Sequence, residues 1–129
     1  MSNGPMRPAR PLSPHLQIYR LSPTMIMSIG HRIAGAGLYS GALLVACWLV
    51  AAAAGPAWLD PVNALLASWF GRLALLSLAF ALMFHMLGGL RHLVWDTGRM
   101  MEKNVATKLA WATLAGAVLL TGLLAVLAG

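Results

Sequence analysis

Acidic side chains are nearly absent. Asp60, Asp96 and Glu102 are the only three, against nine Lys plus Arg, and charged residues of both signs make up 9% of the 129-residue chain. A soluble domain carries about a quarter of its residues charged, so a water-facing surface over most of this chain is excluded. Cysteine occurs once, as Cys47 inside an apolar run, which rules out an internal disulfide and makes a thiolate metal site or an iron–sulfur cluster of the chain's own untenable. No glycine fingerprint for a dinucleotide is present either. Hydrophobic residues supply 60% of the sequence. These proportions describe an all-α integral membrane protein with a net charge of +6, and they point to lipid headgroups or acidic protein surfaces rather than nucleic acid as partners.

Regular structure is disfavoured before residue 23. Pro5, Pro8, Pro11, Pro14 and Pro23 alternate with Arg7, Arg10 and Arg20, and proline at this density favours an extended chain. Residues 1–22 read as a cytoplasmic Pro/Arg-rich arm, either a disordered tail or, as its apolar side chains favour, an extended segment ordered against a partner, with neither a signal-peptide core nor the look of a transit peptide. Ser22-Pro23 opens a helix as N-cap and first helical residue. The membrane domain then covers 23–129, with spans expected at about 23–54, 61–96 and 105–128. From Ile33 to Ala54 no residue is charged, roughly 33 Å of helix at 1.5 Å per residue. Gly55-Pro56 ends that span, Asp60-Pro61 is expected to start the next, Thr97-Gly98 to stop it, and Asn104 to cap the third.

Basic residues set the orientation. Arg7, Arg10, Arg20 and Arg32 precede or open the first span, and Arg91, Arg99, Lys103 and Lys108 surround the connection between the second and third. The connection after the first span has no basic residue before Arg72. The positive-inside rule therefore puts the N-terminus in the cytoplasm and the C-terminus outside, in the periplasm if the membrane is a bacterial inner membrane, which fits better than a mitochondrial one.

Chemistry is concentrated in His85-Met86-Leu87-Gly88-Gly89-Leu90-Arg91-His92. His85 and His92 are about two helical turns apart and face one way. Gly88 and Gly89 let a flat macrocycle or a second helix come close to the backbone. A histidine within an apolar bundle suits the axial site of a haem iron, although the same residues fit an interfacial histidine beside a helix-packing glycine pair. Ser28, His31 and Arg32 enter the membrane from the same side as Arg91 and His92, with His85 expected about 10 Å deeper. Arginine suits carboxylates because its planar fork donates two hydrogen bonds at once, yet Arg32 and Arg91 fit snorkelling interface residues equally, and Ser28 fits helix packing.

His85-x-x-x-Gly89-Leu90-Arg91-His92-Leu93-x-Trp95-Asp96-x-Gly98, together with Arg10-Pro11-Leu12 and Ser28-x-x-His31-Arg32, resembles the two signatures of the larger cytochrome b anchor subunit of succinate dehydrogenase, respiratory complex II. The usual small hydroxyl residue two places after Arg32 is here Ala34. The resemblance implies a three-helix anchor, part of a haem-binding bundle completed by a second small membrane subunit. It implies haem b with His85 as iron ligand, and His31, Arg32, Arg91 and His92 around the haem and its propionates. It implies ubiquinone reduction at Ser28 and Arg32, beside an iron–sulfur subunit and a flavoprotein subunit that carries out succinate oxidation, so that no catalytic residue for succinate lies in this chain. A haem-free structural anchor, or a small transporter subunit with His85 in a proton path, are the rival readings.

Overall fold

The computed structural model describes residues 19–128, so most of the expected N-terminal arm lies outside the described residues. Four helices follow in order: α1 (Pro23–Ala54), α2 (Pro56–Ala67), α3 (Trp69–Asp96) and α4 (Lys103–Ala128). α1, α3 and α4 are long and apolar enough to cross a membrane.

α1 begins where its cap requires. Ser22 Oγ accepts from the Met25 backbone N–H, and Pro23 takes a first-turn position at which its missing donor costs nothing. The helix ends at Gly55, whose φ of +104° lies in the left-handed range that glycine tolerates.

The second hydrophobic segment is not one helix from Asp60-Pro61 to Asp96. Pro56, not Pro61, starts α2, and Pro61 is carried inside that helix. α2 has 12 residues, roughly 18 Å and too short to span. Ser68 then breaks the chain direction. It has extended backbone angles, and its hydroxyl accepts from the Gly71 N–H, which caps α3. The corner is tight enough that a Cβ on Gly71 would fall 2.3 Å from the Leu65 carbonyl oxygen. α3, with 28 residues, spans by itself. Trp48 Nε1–H donates to Asn63 Oδ1 at 3.0 Å and ties α2 to the end of α1.

α4 starts at Lys103, so Asn104 lies within the helix and is not its cap. The preceding turn is closed by Gly98 and Met100, both at positive φ, and by Trp95 Nε1–H donating to the Met100 carbonyl.

The core is small and made largely of small residues: Met27, Ala34, Phe84, Ala110 and Ala117. α4 turns Ala110, Thr113, Ala117 and Thr121 inward at helical spacing. The buried hydroxyls of Thr113 and Thr121 bond to the carbonyls four residues back, so neither needs a partner from another helix. α1 and α3 run antiparallel with glycines at the crossing. Gly30 faces the Phe84 ring and Gly41 faces Leu78. Large side chains such as Ile33, Tyr39, Phe70, Leu119 and Val126 are exposed along the spans. In a bilayer these are lipid- or partner-facing surfaces, and packing between the helices rests on close backbone approach. The start of α1, the end of α3 and the start of α4 share one end of the bundle, the end that carries Arg99 and Lys103.

Candidate functional site

Two histidines from different spans meet inside the bundle. The rings of His31 on α1 and His85 on α3 stack with centroids 3.9 Å apart and planes 12° from parallel. Each also bonds the other's backbone. His31 Nε2 lies 3.0 Å from the His85 carbonyl oxygen, and His85 Nδ1 lies 3.1 Å from the His31 carbonyl oxygen. A carbonyl only accepts, so each of these ring nitrogens carries the proton. His85 is thereby held as the tautomer whose Nε2 lone pair is free, the form in which an imidazole ligates a metal while its other nitrogen is anchored to a backbone carbonyl.

Glycines make this meeting possible. A Cβ on Gly88 would stand 2.3 Å from His31 Cδ2, and one on Gly35 would stand 3.0 Å from His85 Cε1. Each histidine thus occupies the hollow left by a glycine of the facing helix. Gly89 faces open space, with nothing within 4 Å of where its Cβ would be. The expected close approach at Gly88 and Gly89 therefore divides: α1 fills the first hollow and leaves the second clear.

Depth differs from expectation at one residue. The sequence reading sets His31 level with Arg91 and His92, one layer nearer the surface than His85. In the structure His31 reaches the layer of His85. Antiparallel packing brings Pro23 opposite the end of α3, and eight residues of rise then carry His31 about 12 Å inward. His92 remains nearer the surface and meets His31 edge-on at 5.5 Å, and Trp95 meets His92 edge-on at 5.3 Å. His85, His31, His92 and Trp95 form a continuous row of rings from the interior toward the basic end.

Arg91 is not in that row. It follows His85 by six positions, about 120° away around the helix, whereas His92 at seven returns to the face of His85. Its guanidinium lies over the Trp95 ring at 4.9 Å and lines a cleft of about 510 Å³ between the start of α1, the end of α3 and the start of α4. Ser22, Ser28, His92 and Lys103 also line the cleft, and His85 and Arg32 do not. Arg91 is 5% exposed, and its Nε and Nη1 have no hydrogen-bond partner among the described residues. Ser28 is half-buried, and Arg32, one turn further along α1, is exposed. The structure thus sets Ser28 beside the cleft and Arg32 on the outer surface of the same helix.

Gly35, the seat of the His85 ring, is not among the site residues named from the sequence. A signal for it exists. His31 is followed four residues later by Gly35 and His85 three residues later by Gly88, and antiparallel helices bring the glycine of one near the histidine of the other. Trp95, part of the signature but given no role from the sequence, is the ring beneath Arg91.

Known proteins match most of the chain. The family described as succinate dehydrogenase/fumarate reductase transmembrane subunit matches residues 6–124. The succinate dehydrogenase cytochrome b556 subunit of Paracoccus denitrificans is 44% identical over 111 residues, covering 86% of this chain and 85% of the relative. The subunit of the same description from Rickettsia felis is 32% identical over 115 residues, with 89% and 90% covered. The mitochondrial succinate dehydrogenase cytochrome b560 subunit of Homo sapiens is 40% identical over 92 residues, with 70% and 54% covered. With its three spans, its paired histidines and these relatives, the chain belongs to the family of cytochrome b membrane-anchor subunits of succinate dehydrogenase, complex II.

Proposed function

We propose that this subunit ligates haem b through His85 and forms part of the ubiquinone-reduction site of succinate:ubiquinone oxidoreductase, while anchoring the flavoprotein and iron–sulfur subunits to the membrane. The observation that carries the haem reading is the tautomer of His85: Nδ1 is tied to the His31 carbonyl at 3.1 Å, which leaves Nε2 as a lone-pair donor inside the bilayer. The clear space at Gly89 is consistent with a flat group lying against α3. A bound haem supplies a one-electron store at its iron. His85 would hold that iron, and His31 and His92 would flank it. Arg32, exposed on α1, is the cation we assign to a propionate. Arg91 is turned into the cleft instead. The second axial ligand and the rest of the pocket would come from a second small membrane subunit.

For the quinone, Ser28 Oγ–H would donate to a carbonyl oxygen of the ring, and Arg32, one turn away, would hold positive charge near the oxygen as it gains electrons. Both lie toward the basic end of the bundle, the cytoplasmic end by the positive-inside rule, with water at hand for the two protons a quinol takes up. The membrane would be a bacterial inner membrane, with the C-terminus periplasmic. A haem-free anchor would explain the spans and the basic end, but not a histidine fixed with its ligating nitrogen free. Reduced-minus-oxidised visible spectra of the purified complex test the reading, alongside identification of its co-purifying chains. A b-type spectrum that disappears in His85→Ala supports it, and an unchanged spectrum removes His85 as ligand.

A further inference from the structure

The cleft at the basic end holds a positive charge that this sequence does not neutralise. Arg91 is 5% exposed, with two guanidinium N–H groups unpartnered among the described residues. A buried cation normally sits with an anion, because the desolvation cost is otherwise uncompensated. Trp95 covers one face of the guanidinium but offers no acceptor. The sequence has only three carboxylate side chains, and none falls among residues 1–18. Asp96 and Glu102 lie near this end but do not line the cleft, and Asp60 is on α2.

The surroundings add positive potential. Two long helices, α1 and α4, present their N-termini to the cleft, through Ser22 and Lys103. On α1, Pro23 has no N–H and Ser22 takes those of Met25 and Ile26, so only the Thr24 N–H is left in the first turn. On α4 the first-turn N–H groups before Ala106 are open to an anion, and the dipole of each helix favours one there. Lys103 adds a full charge. Much of the remaining wall is apolar, including Pro23, Met25 and Met101.

The geometry points to a binding site for the phosphodiester headgroup of an anionic phospholipid, held between Arg91, Lys103 and the two helix N-termini. Arg91 lies five residues inside the end of α3, roughly 7.5 Å, within a candidate span, and the apolar wall suits the glycerol and acyl chains of a lipid. A basic pocket between spans on the cytoplasmic side is where anionic headgroups are recognised. The site rests on the membrane reading and does not depend on haem ligation; Ser28, given above to the quinone, lines the same cleft, so the test separates headgroup from quinone.

The test uses the intact complex purified in non-ionic detergent, with retained phospholipids counted by mass spectrometry against protein. The wild type is expected to keep an anionic phospholipid through washing that removes phosphatidylcholine. Arg91→Gln and Lys103→Gln are expected to lower that retention about tenfold or more, the scale of one hydrogen bond to a charged group. After delipidation, phosphatidylglycerol in mixed micelles should restore thermal stability, whereas phosphatidylcholine and inorganic phosphate should not. Equal retention in the variants overturns the proposal. So does restoration by inorganic phosphate, which would make this a small-anion site. A shifted haem spectrum with unchanged lipid would give Arg91 to a propionate, and slowed quinone reduction with unchanged lipid would give the cleft to the quinone; either result also overturns it. Lys103→Gln alters only a residue exposed at the start of α4, and carries the test if Arg91→Gln fails to assemble.

Discussion

Gly88 and His31 share one space: where the glycine has no side chain, the imidazole of the facing helix lies, and a methyl group there would be 2.3 Å from Cδ2. Gly88→Ala therefore cannot be accommodated without moving His31 off His85. The cost expected is about 1–3 kcal/mol, the usual range for overpacking a filled site, seen as a lower thermal midpoint of the assembled complex and a disturbed haem spectrum. Gly89→Ala is the comparison, since no atom of this chain lies within 4 Å of the added methyl. An equally large effect at Gly89 would reveal that haem or a partner chain fills that side.

The histidines should separate by role. His85→Ala removes the free Nε2 and should abolish the low-spin b-type spectrum. His31→Ala removes a stacked ring and a 3.0 Å hydrogen bond but leaves His85 Nδ1 bonded to a backbone carbonyl that alanine retains. It should keep the haem, with a displaced band or potential. His92→Ala, one layer nearer the surface, should be milder still. Loss of haem in His31→Ala with retention in His85→Ala would reverse the assignment.

The helical class, the first span and its Ser22 cap are legible because uncharged length, proline and a cap residue all agree at one place. The corner at Ser68 is not. Leu65, Leu66 and Ala67 before it and Trp69 and Phe70 after it continue the apolar run, so hydropathy carries straight through a break made by one hydroxyl and by Gly71. Asp60-Pro61 looks like a helix start, but Pro56 supplies one five residues earlier. At the site, the helical period already separates Arg91 from the face of His85, whereas the depth of His31 is not legible, because it reaches His85 only where the α1/α3 glycines allow close packing.

That corner is itself testable. Ser68→Ala removes the cap of α3 and should cost about 1 kcal/mol. Gly71→Ala drives a methyl into the Leu65 and Leu66 backbone, which cannot rotate away as a side chain can, so it should cost more. Limited proteolysis and thermal unfolding of the complex would order the two variants. Gly71→Ala as mild as Ser68→Ala would mean that α2 and α3 meet less tightly than described.

Topology follows from the same charges. Reporter fusions at Gly4 and Lys103 should report the cytoplasm and a fusion at Gly129 the outside, and a cysteine placed at Trp58 on α2 should label from outside. Labelling of α2 from the cytoplasm would invert the bundle, and with it the side proposed for quinone reduction.

The quinone assignment makes the sharpest kinetic demand. Ser28 is half-buried beside the cleft and Arg32 is exposed one turn away, so their substitutions perturb packing little. Ser28→Ala keeps the helix and deletes one donor. It should slow succinate-to-quinone electron transfer while leaving succinate oxidation by a soluble artificial acceptor nearly intact, because the proposed function assigns that chemistry to other subunits. A hydrogen bond to a charged group is worth about 1.5–3 kcal/mol, or roughly ten- to a hundred-fold in rate when expressed fully at the transition state. Arg32→Leu removes a full charge and should be the more severe of the two, with a haem shift as well if its guanidinium meets a propionate. Normal quinone reduction in both variants would move the quinone away from α1. Equal losses with the quinone and with the artificial acceptor would instead mean that the variants release the catalytic subunits from the membrane, and the proposed role of the pair would then be docking.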